Sequence, residues 1–193
     1  MFKNQFVKPL VPPSIIKINH HKYGKIIFLD ESKNPSGTHK DRMAYSITNI
    51  YRKMLKSNKN LRLSLISSGS AAYAIQLAIS ERGLPPIKAL IDESRKEVEI
   101  LKKIGCEVYT FDLESKMLSS NDILELTNNE GGIEITSNMA INPYNTYYKE
   151  LVSYLSDFDS GYIFTPFGTG HLYGSFLTCD FFDEPFNVHI IGG

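Results

Sequence analysis

The sequence predicts an α/β protein built on parallel sheets flanked by helices. Three observations predict it. Short apolar runs alternate with helix-patterned segments along the chain, the connections between them are short, and turns bearing Ser and Gly fall where a strand gives way to a helix. Strand–helix–strand order with short links sets successive strands side by side and parallel, with helices over both faces of the sheet.

Each element has its own signal. Residues 26–29 read as a short strand, followed by a polar loop and a helix over 40 to about 55 that carries Met43, Ile47, Tyr51 and Met54 on one stripe. Leu61, Leu63 and Leu65 alternate with polar residues and mark a strand, which runs into Ser67-Ser68-Gly69-Ser70 and an alanine-rich helix over 71–82. Gly83 is placed as the C-cap of that helix, and Pro85 and Pro86 prevent its continuation. Residues 87–91 form the next strand. A charged helix with Val98, Leu101 and Ile104 ends at Gly105, and 107–111 return to strand. Asn121 can cap a short helix running to 128, residues 133–136 read as strand, and 145–157 as a helix with Tyr147, Leu151 and Leu155 facing inward. A strand at 162–165, a glycine loop, a helix to about 181 and a strand at 188–191 complete the order, with no internal repeat or low-complexity tract.

Composition narrows the class. A length of 193 residues suits roughly one or two domains, and 42% hydrophobic residues are enough for a core. Lysine plus arginine (21) equals aspartate plus glutamate (21), so nothing favours nucleic acid or an acidic membrane surface. No apolar run approaches membrane-spanning length, and residues 1–10 lack a signal-peptide core. Cys106 and Cys179 are too few and too far apart for a disulfide framework or a metal cluster, and Cys106 is expected to be a small buried residue. His20, His21 and His189 have no partner spacing, so no metal site is expected. A cytoplasmic, reducing compartment fits this cysteine usage.

Chemistry in parallel sheets gathers where strand ends enter helix N-termini. Lys40 sits at such a junction, after the polar turn formers 34–38. The positive end of a helix favours an anion, so a lysine there makes better sense as an amine bonded to a carbonyl cofactor than as a free charge. Gly168 and Gly170 let backbone N–H groups approach an anion such as a phosphate. Ser68 and Ser70, with the N–H groups of Gly69 and Ala71, form a second anion site; Ser68 or Ser70 could equally cap the helix that follows. The spacing Gly168-x-Gly170-x-x-x-Gly174 is not G-x-G-x-x-G, and no acidic residue ends the 188–191 strand, so NAD is not expected.

Four segments carry a family resemblance, in order. Residues 34–42, Asn-Pro-Ser-Gly-Thr-His-Lys-Asp-Arg, resemble the lysine motif of the fold type II pyridoxal-phosphate (PLP) enzymes, the tryptophan synthase β superfamily, in its threonine synthase and cysteine synthase flavours. Residues 67–72 resemble the loop that holds the substrate carboxylate. Asn142-Pro143-Tyr144 resembles a signature before a helix, and 166–172 resemble the phosphate-binding glycine loop.

The resemblance implies pyridoxal 5′-phosphate as cofactor, bound covalently by Lys40, whose amine then acts as general base on the α-proton of a small amino-acid substrate. It implies a phosphate cup of Gly168, Thr169, Gly170 and His171, with His39 reaching the phosphate, and a carboxylate loop of Ser68, Gly69, Ser70 and Ala71 with Thr38. Ser70 stands where the family has an asparagine facing the cofactor, and Thr169 and His171 stand where it has glycines. The implied reaction is β- or γ-elimination or replacement, most like threonine synthase acting on O-phosphohomoserine. The alternatives are a cysteine synthase-like β-replacement enzyme and a truncated, non-catalytic homologue.

Residues 1–36 and 148–193 would belong to the larger cofactor domain and 37–147 to the smaller domain. The family runs on beyond the position of Gly193, so the larger domain is expected to be incomplete. The 188–191 strand and the aromatic run Phe176, Leu177, Phe181, Phe182 and Phe186 would then be uncovered, and a homodimer or association with another chain is expected.

Overall fold

The computed structural model describes residues 10–136, 147–155, 158, 161–166, 168, 170–178 and 189–192. The chain divides into two compact units, Met1–Asn138 and Met139–Gly193.

The first unit opens with an antiparallel hairpin of β1 (Ser14–His20) and β2 (Gly24–Asp30), in register from Ser14 opposite Asp30 to His20 opposite Gly24. Only part of β2 is legible in the sequence, as 26–29, and β1 is not. The unit then runs α1 (Lys40–Ser57), β3 (Leu63–Ile66), α2 (Ser70–Glu81), β4 (Lys88–Asp92), α3 (Val98–Lys103), β5 (Glu107–Phe111), α4 (Ser120–Leu126) and β6 (Ile133–Glu134). Strands β5-β4-β3-β6 form one parallel sheet in that order. Leu63, Ser64 and Leu65 are all buried, as are Ala89, Leu90 and Ile91, so β3 and β4 have no solvent face. That is the signature of a sheet covered on both sides.

The helices are set by their apolar stripes and stopped by residues that tolerate left-handed backbone. Met43, Ala44, Ile47, Tyr51 and Leu55 form the buried face of α1, and α1 packs against α2, whose buried face begins with Ala72, Ala74 and Ile75. Helix α2 ends at Arg82. Gly83, at φ +60°, follows it, and its N–H donates to Ser80 O while Leu84 N–H donates to Ile79 O. The same double closure ends α3, with Gly105 at φ +89°, and ends α4, with Asn128 at φ +49°. Helix α4 starts two residues earlier than its sequence suggests. Ser119 rather than Asn121 is its N-cap, because Asp122 reaches back to Ser119 while the Ser119 hydroxyl accepts from Asp122 N–H. Strand β6 is shorter than 133–136, since Thr136 turns its hydroxyl to accept from Ile66 N–H at 2.8 Å.

The second unit holds α5 (Lys149–Ser153), β7 (Tyr162–Thr165), α6 (His171–Thr178) and β8 (His189–Gly192). Strands β7 and β8 pair in parallel, Tyr162 opposite His189. Tyr148, Leu151, Val152, Ile163, Leu172 and Phe176 are buried. Residues 145–146, the expected start of α5, and the Asn142-Pro143-Tyr144 segment lie outside the described residues.

Candidate active site

The strand order places a loop where ligands bind. From β3 the chain steps through β4 to β5 and then returns to lay β6 on the other side of β3. Order therefore reverses at β3, and crevices outside the carboxyl ends of strands at such reversals are the usual ligand sites of open α/β sheets. The segment leaving β3 is Ser67-Ser68-Gly69-Ser70.

Ser67 shapes that loop. Its buried hydroxyl accepts from Gly69 N–H at 3.0 Å and from Ala72 N–H at 3.2 Å, so it satisfies the third backbone donor of α2 from three residues before the helix. The sequence pointed to Ser68 or Ser70 as the cap, and neither hydroxyl caps α2. Gly69 at φ +123° turns the backbone there, a conformation other residues rarely adopt. With Ser67 engaged, the N–H groups of Ser68, Ser70 and Ala71 have no acceptor among the described residues, and Ser70 and Ala71 head the positive end of α2. Three such donors in sequence suit a carboxylate or phosphate oxygen. Over the loop lies Glu97, whose Cγ is 3.1 Å from where a Cβ on Gly69 would stand.

The Lys40 junction is tightly built. Asn34 Nδ2 donates to Glu31 at 2.8 Å and to Thr38 O at 3.3 Å, while Gly37, at φ +75°, closes a turn onto Asn34 O at 2.8 Å. Thr38 Oγ1 accepts from Lys40 N–H at 3.1 Å and shares a 3.0 Å bond with the Ser36 hydroxyl. Asp41, in the first turn of α1, accepts from Ser36 N–H at 3.0 and 3.2 Å and from the Ser36 hydroxyl. Behind it Arg42 clasps Glu31 and donates to Val11 O. The loop is thus pinned on both sides of Lys40, which is what a reacting amine needs. Asn34, Glu31, Asp41 and Arg42 do this work and were not singled out as site residues from the sequence; their signal was the motif itself.

Electrostatics at the junction favour neutral bases. Burial holds the Lys40 amine below its ordinary value, which raises the share of neutral amine that can attack a carbonyl carbon. Burial, then the charge of Lys40, push His39 down to about 4. Its imidazole is therefore neutral at pH 7 and can take part in hydrogen bonding but carries no positive charge. By contrast Cys106 is buried, as the sequence led us to expect, and burial pushes its thiol up to about 12, which disfavours the reactive thiolate.

In the second unit, β7 leads into the glycine loop and α6. Among the described residues nothing lies within 4 Å of a Cβ placed on Gly168, and Gly170 has φ +78°. His171 is the first residue of α6, is buried, and meets the Tyr147 ring edge-on with centroids 6.1 Å apart. Thr169 lies outside the described residues. Among the described residues, no three His, Cys, Asp or Glu side chains gather as a metal site requires.

These residues fit a phosphorylated aldehyde. Lys40 offers an amine biased towards its neutral form, the backbone at Gly168 is open among the described residues and stands just before a helix N-terminus, and Thr165 Oγ1, buried before that loop, has no partner among the described residues.

Among solved structures, O-ureido-L-serine synthase superposes with TM-score 0.74 at 19% identity, covering 93% of this chain and 59% of that one. A hydrogen sulfide-producing enzyme from Fusobacterium nucleatum gives 0.73 at 19%, covering 95% and 64%, and diaminopropionate ammonia lyase from Escherichia coli gives 0.71 at 16%, covering 97% and 59%. The chain therefore spans about three-fifths of these neighbours' length. Comparison with curated proteins gives no significant match. No helix among the described residues is long and apolar enough to cross a membrane. The model of the family described as pyridoxal-phosphate dependent enzyme matches residues 6–178, and the chain belongs to that family.

Proposed function

We propose that this chain binds pyridoxal 5′-phosphate through Lys40 and carries out elimination or replacement at the β-carbon of a small amino acid. The observation that carries the reading is the Lys40 junction, a pinned loop presenting an amine that burial biases towards the neutral form. When bound, the cofactor supplies an electron-withdrawing ring that stabilises negative charge at the substrate α-carbon. Lys40 Nζ moves the α-proton. The N–H groups of Ser68, Ser70 and Ala71, with the two serine hydroxyls, hold the substrate carboxylate in the shape set by Ser67 and Gly69. Neutral His39 orients by hydrogen bonding, and the Gly168–His171 segment takes the phosphate.

The named neighbours, O-ureido-L-serine synthase, a hydrogen sulfide-producing enzyme and diaminopropionate ammonia lyase, support the choice of β-carbon chemistry. A threonine synthase-like reaction is the second reading, supported by the wording of residues 34–42. The test begins with visible absorbance after incubation with PLP, borohydride reduction and peptide mapping. An adduct on Lys40 is expected, and one confined to another lysine would overturn the proposal. Release of sulfide from cysteine or ammonia from 2,3-diaminopropionate supports the first reading, and phosphate from O-phosphohomoserine the second. A loaded Lys40 with no turnover of any of them would assign the chain a binding role.

The proposal includes association with a second chain in a cytoplasmic setting. Tyr162 and Phe164 stand exposed on one face of β7, at 62% and 75%, which supports a covered face in the assembly. Light scattering at micromolar concentration showing a compact monomer would overturn that part.

A further inference from the structure

Thr165 is the last residue of β7, and it shares the buried face of the strand with Ile163 while Tyr162 and Phe164 face solvent. It is 6% exposed, and its hydroxyl has no hydrogen-bond partner. In this the residue differs from its peers. The other buried serine and threonine hydroxyls among the described residues are all engaged: Thr48 with Ala44 O, Ser64 with Thr127, Ser67 with Gly69 and Ala72 N–H, and Ser175 with His171 O. Valine has the same shape and the same preference for a strand, and at this position it would spare the protein an unsatisfied buried hydroxyl. A threonine there needs a reason beyond packing.

The chain around Thr165 supplies one. Gly168 follows three residues after Thr165, and among the described residues no atom lies within 4 Å of a Cβ placed on it; Gly170 at φ +78° and the first turn of α6 come next in sequence. An oxyanion at a helix N-terminus accepts hydrogen bonds from backbone donors and has further lone pairs to offer. We propose that Thr165 Oγ1 donates to the phosphate bound at the glycine loop, as a positioning residue for the phosphorylated cofactor that neither the motif nor the family match singles out. The inference rests on the reading of that loop as the phosphate site.

The experiment uses the full chain with Thr165→Val and Thr165→Ser. Each protein is titrated with PLP, with pyridoxal, which lacks the phosphate, and with inorganic phosphate, followed by absorbance and by thermal shift. Thr165→Val should weaken PLP and inorganic phosphate by about tenfold, leave pyridoxal unchanged, and melt at or above the parent when unliganded. Thr165→Ser should bind like the parent. Should the valine variant fail to fold, Thr165→Ala repeats the comparison. Equal binding of PLP and phosphate by parent and valine variant would overturn the role of Thr165 alone and assign its hydroxyl to a buried water. Parallel weakening of PLP and pyridoxal would overturn it in favour of a purely structural residue. A parent that binds neither PLP nor phosphate would remove the phosphate reading of the loop along with the inference.

Discussion

Arg42 holds Glu31 with two parallel hydrogen bonds, Nε to Oε2 at 2.7 Å and Nη2 to Oε1 at 2.8 Å, with the two side chains 1% and 9% exposed. The pair joins the first turn of α1 to the segment after β2, and Asn34 leans on the same carboxylate. It therefore fixes both ends of the loop that presents Lys40. Removing one partner of a buried pair leaves a charge without its counterion, which costs more than the pair ever contributed. Glu31→Ala should destabilise the protein by about 3–5 kcal/mol in denaturant unfolding. A loss below 1 kcal/mol would mean that the pair is solvated in solution.

His39 gives the protein an acid-side weakness with a defined sign. Its folded value is about 4 against an ordinary 6.5, so the unfolded chain binds the proton more readily. The stability this group contributes is fully present above about pH 6.5 and is lost as pH falls towards 4. His39→Phe removes the titration and keeps the bulk. Urea unfolding at pH 7.5, 6 and 5 should show the parent losing stability faster than the variant. Parallel loss in both proteins would place the imidazole in water.

The elements that the sequence disclosed are those whose pattern comes from burial. Strands β3 and β4 and helices α1 and α2 carry mostly apolar buried residues, and Gly83 and Gly105 mark two helix ends because left-handed backbone leaves little choice of residue. Strand β1 escaped because Ile15, Ile16 and Ile18 all remain exposed, so no buried face shows as a period. Its turn is also unusual. His20 Nδ1 accepts from the N–H groups of both Lys22 and Tyr23 at 3.2 Å, a turn made by a side chain where an Asn-Gly pair would have been readable. The site shows the same division. The three segments 34–42, 67–72 and 166–172 stood out as motifs, whereas the choice among Ser67, Ser68 and Ser70 as the group that satisfies the first turn of α2 depends on how Gly69 turns the chain. Three serines in four residues do not carry that information.

Ser67 can be tested on that ground. Ser67→Ala removes the acceptor shared by Gly69 and Ala72 N–H. The capping loss should cost about 1 kcal/mol, in the range for a helix cap. Binding of amino acids to the PLP-loaded protein, followed by its spectrum, should weaken more than PLP binding does, because the carboxylate loop loses its shape while the glycine loop keeps its own. Ser68→Ala serves as the control for the fold, since its hydroxyl caps nothing.

Gly168 offers a test of the proposed phosphate role that leaves the fold almost untouched. Among the described residues no heavy atom lies within 4 Å of a Cβ added there, so Gly168→Ala should leave unfolding within about 0.5 kcal/mol of the parent. The added methyl would stand in the space left for the anion. PLP affinity should therefore fall at least tenfold, about 1.4 kcal/mol, while affinity for pyridoxal stays the same. Gly170→Val is a poorer probe, because φ +78° strains any β-branched residue and mixes a folding penalty with a binding one. Should Gly168→Ala bind PLP as tightly as the parent, the anion does not approach the chain at Gly168, and the cradle must be sought elsewhere in the loop.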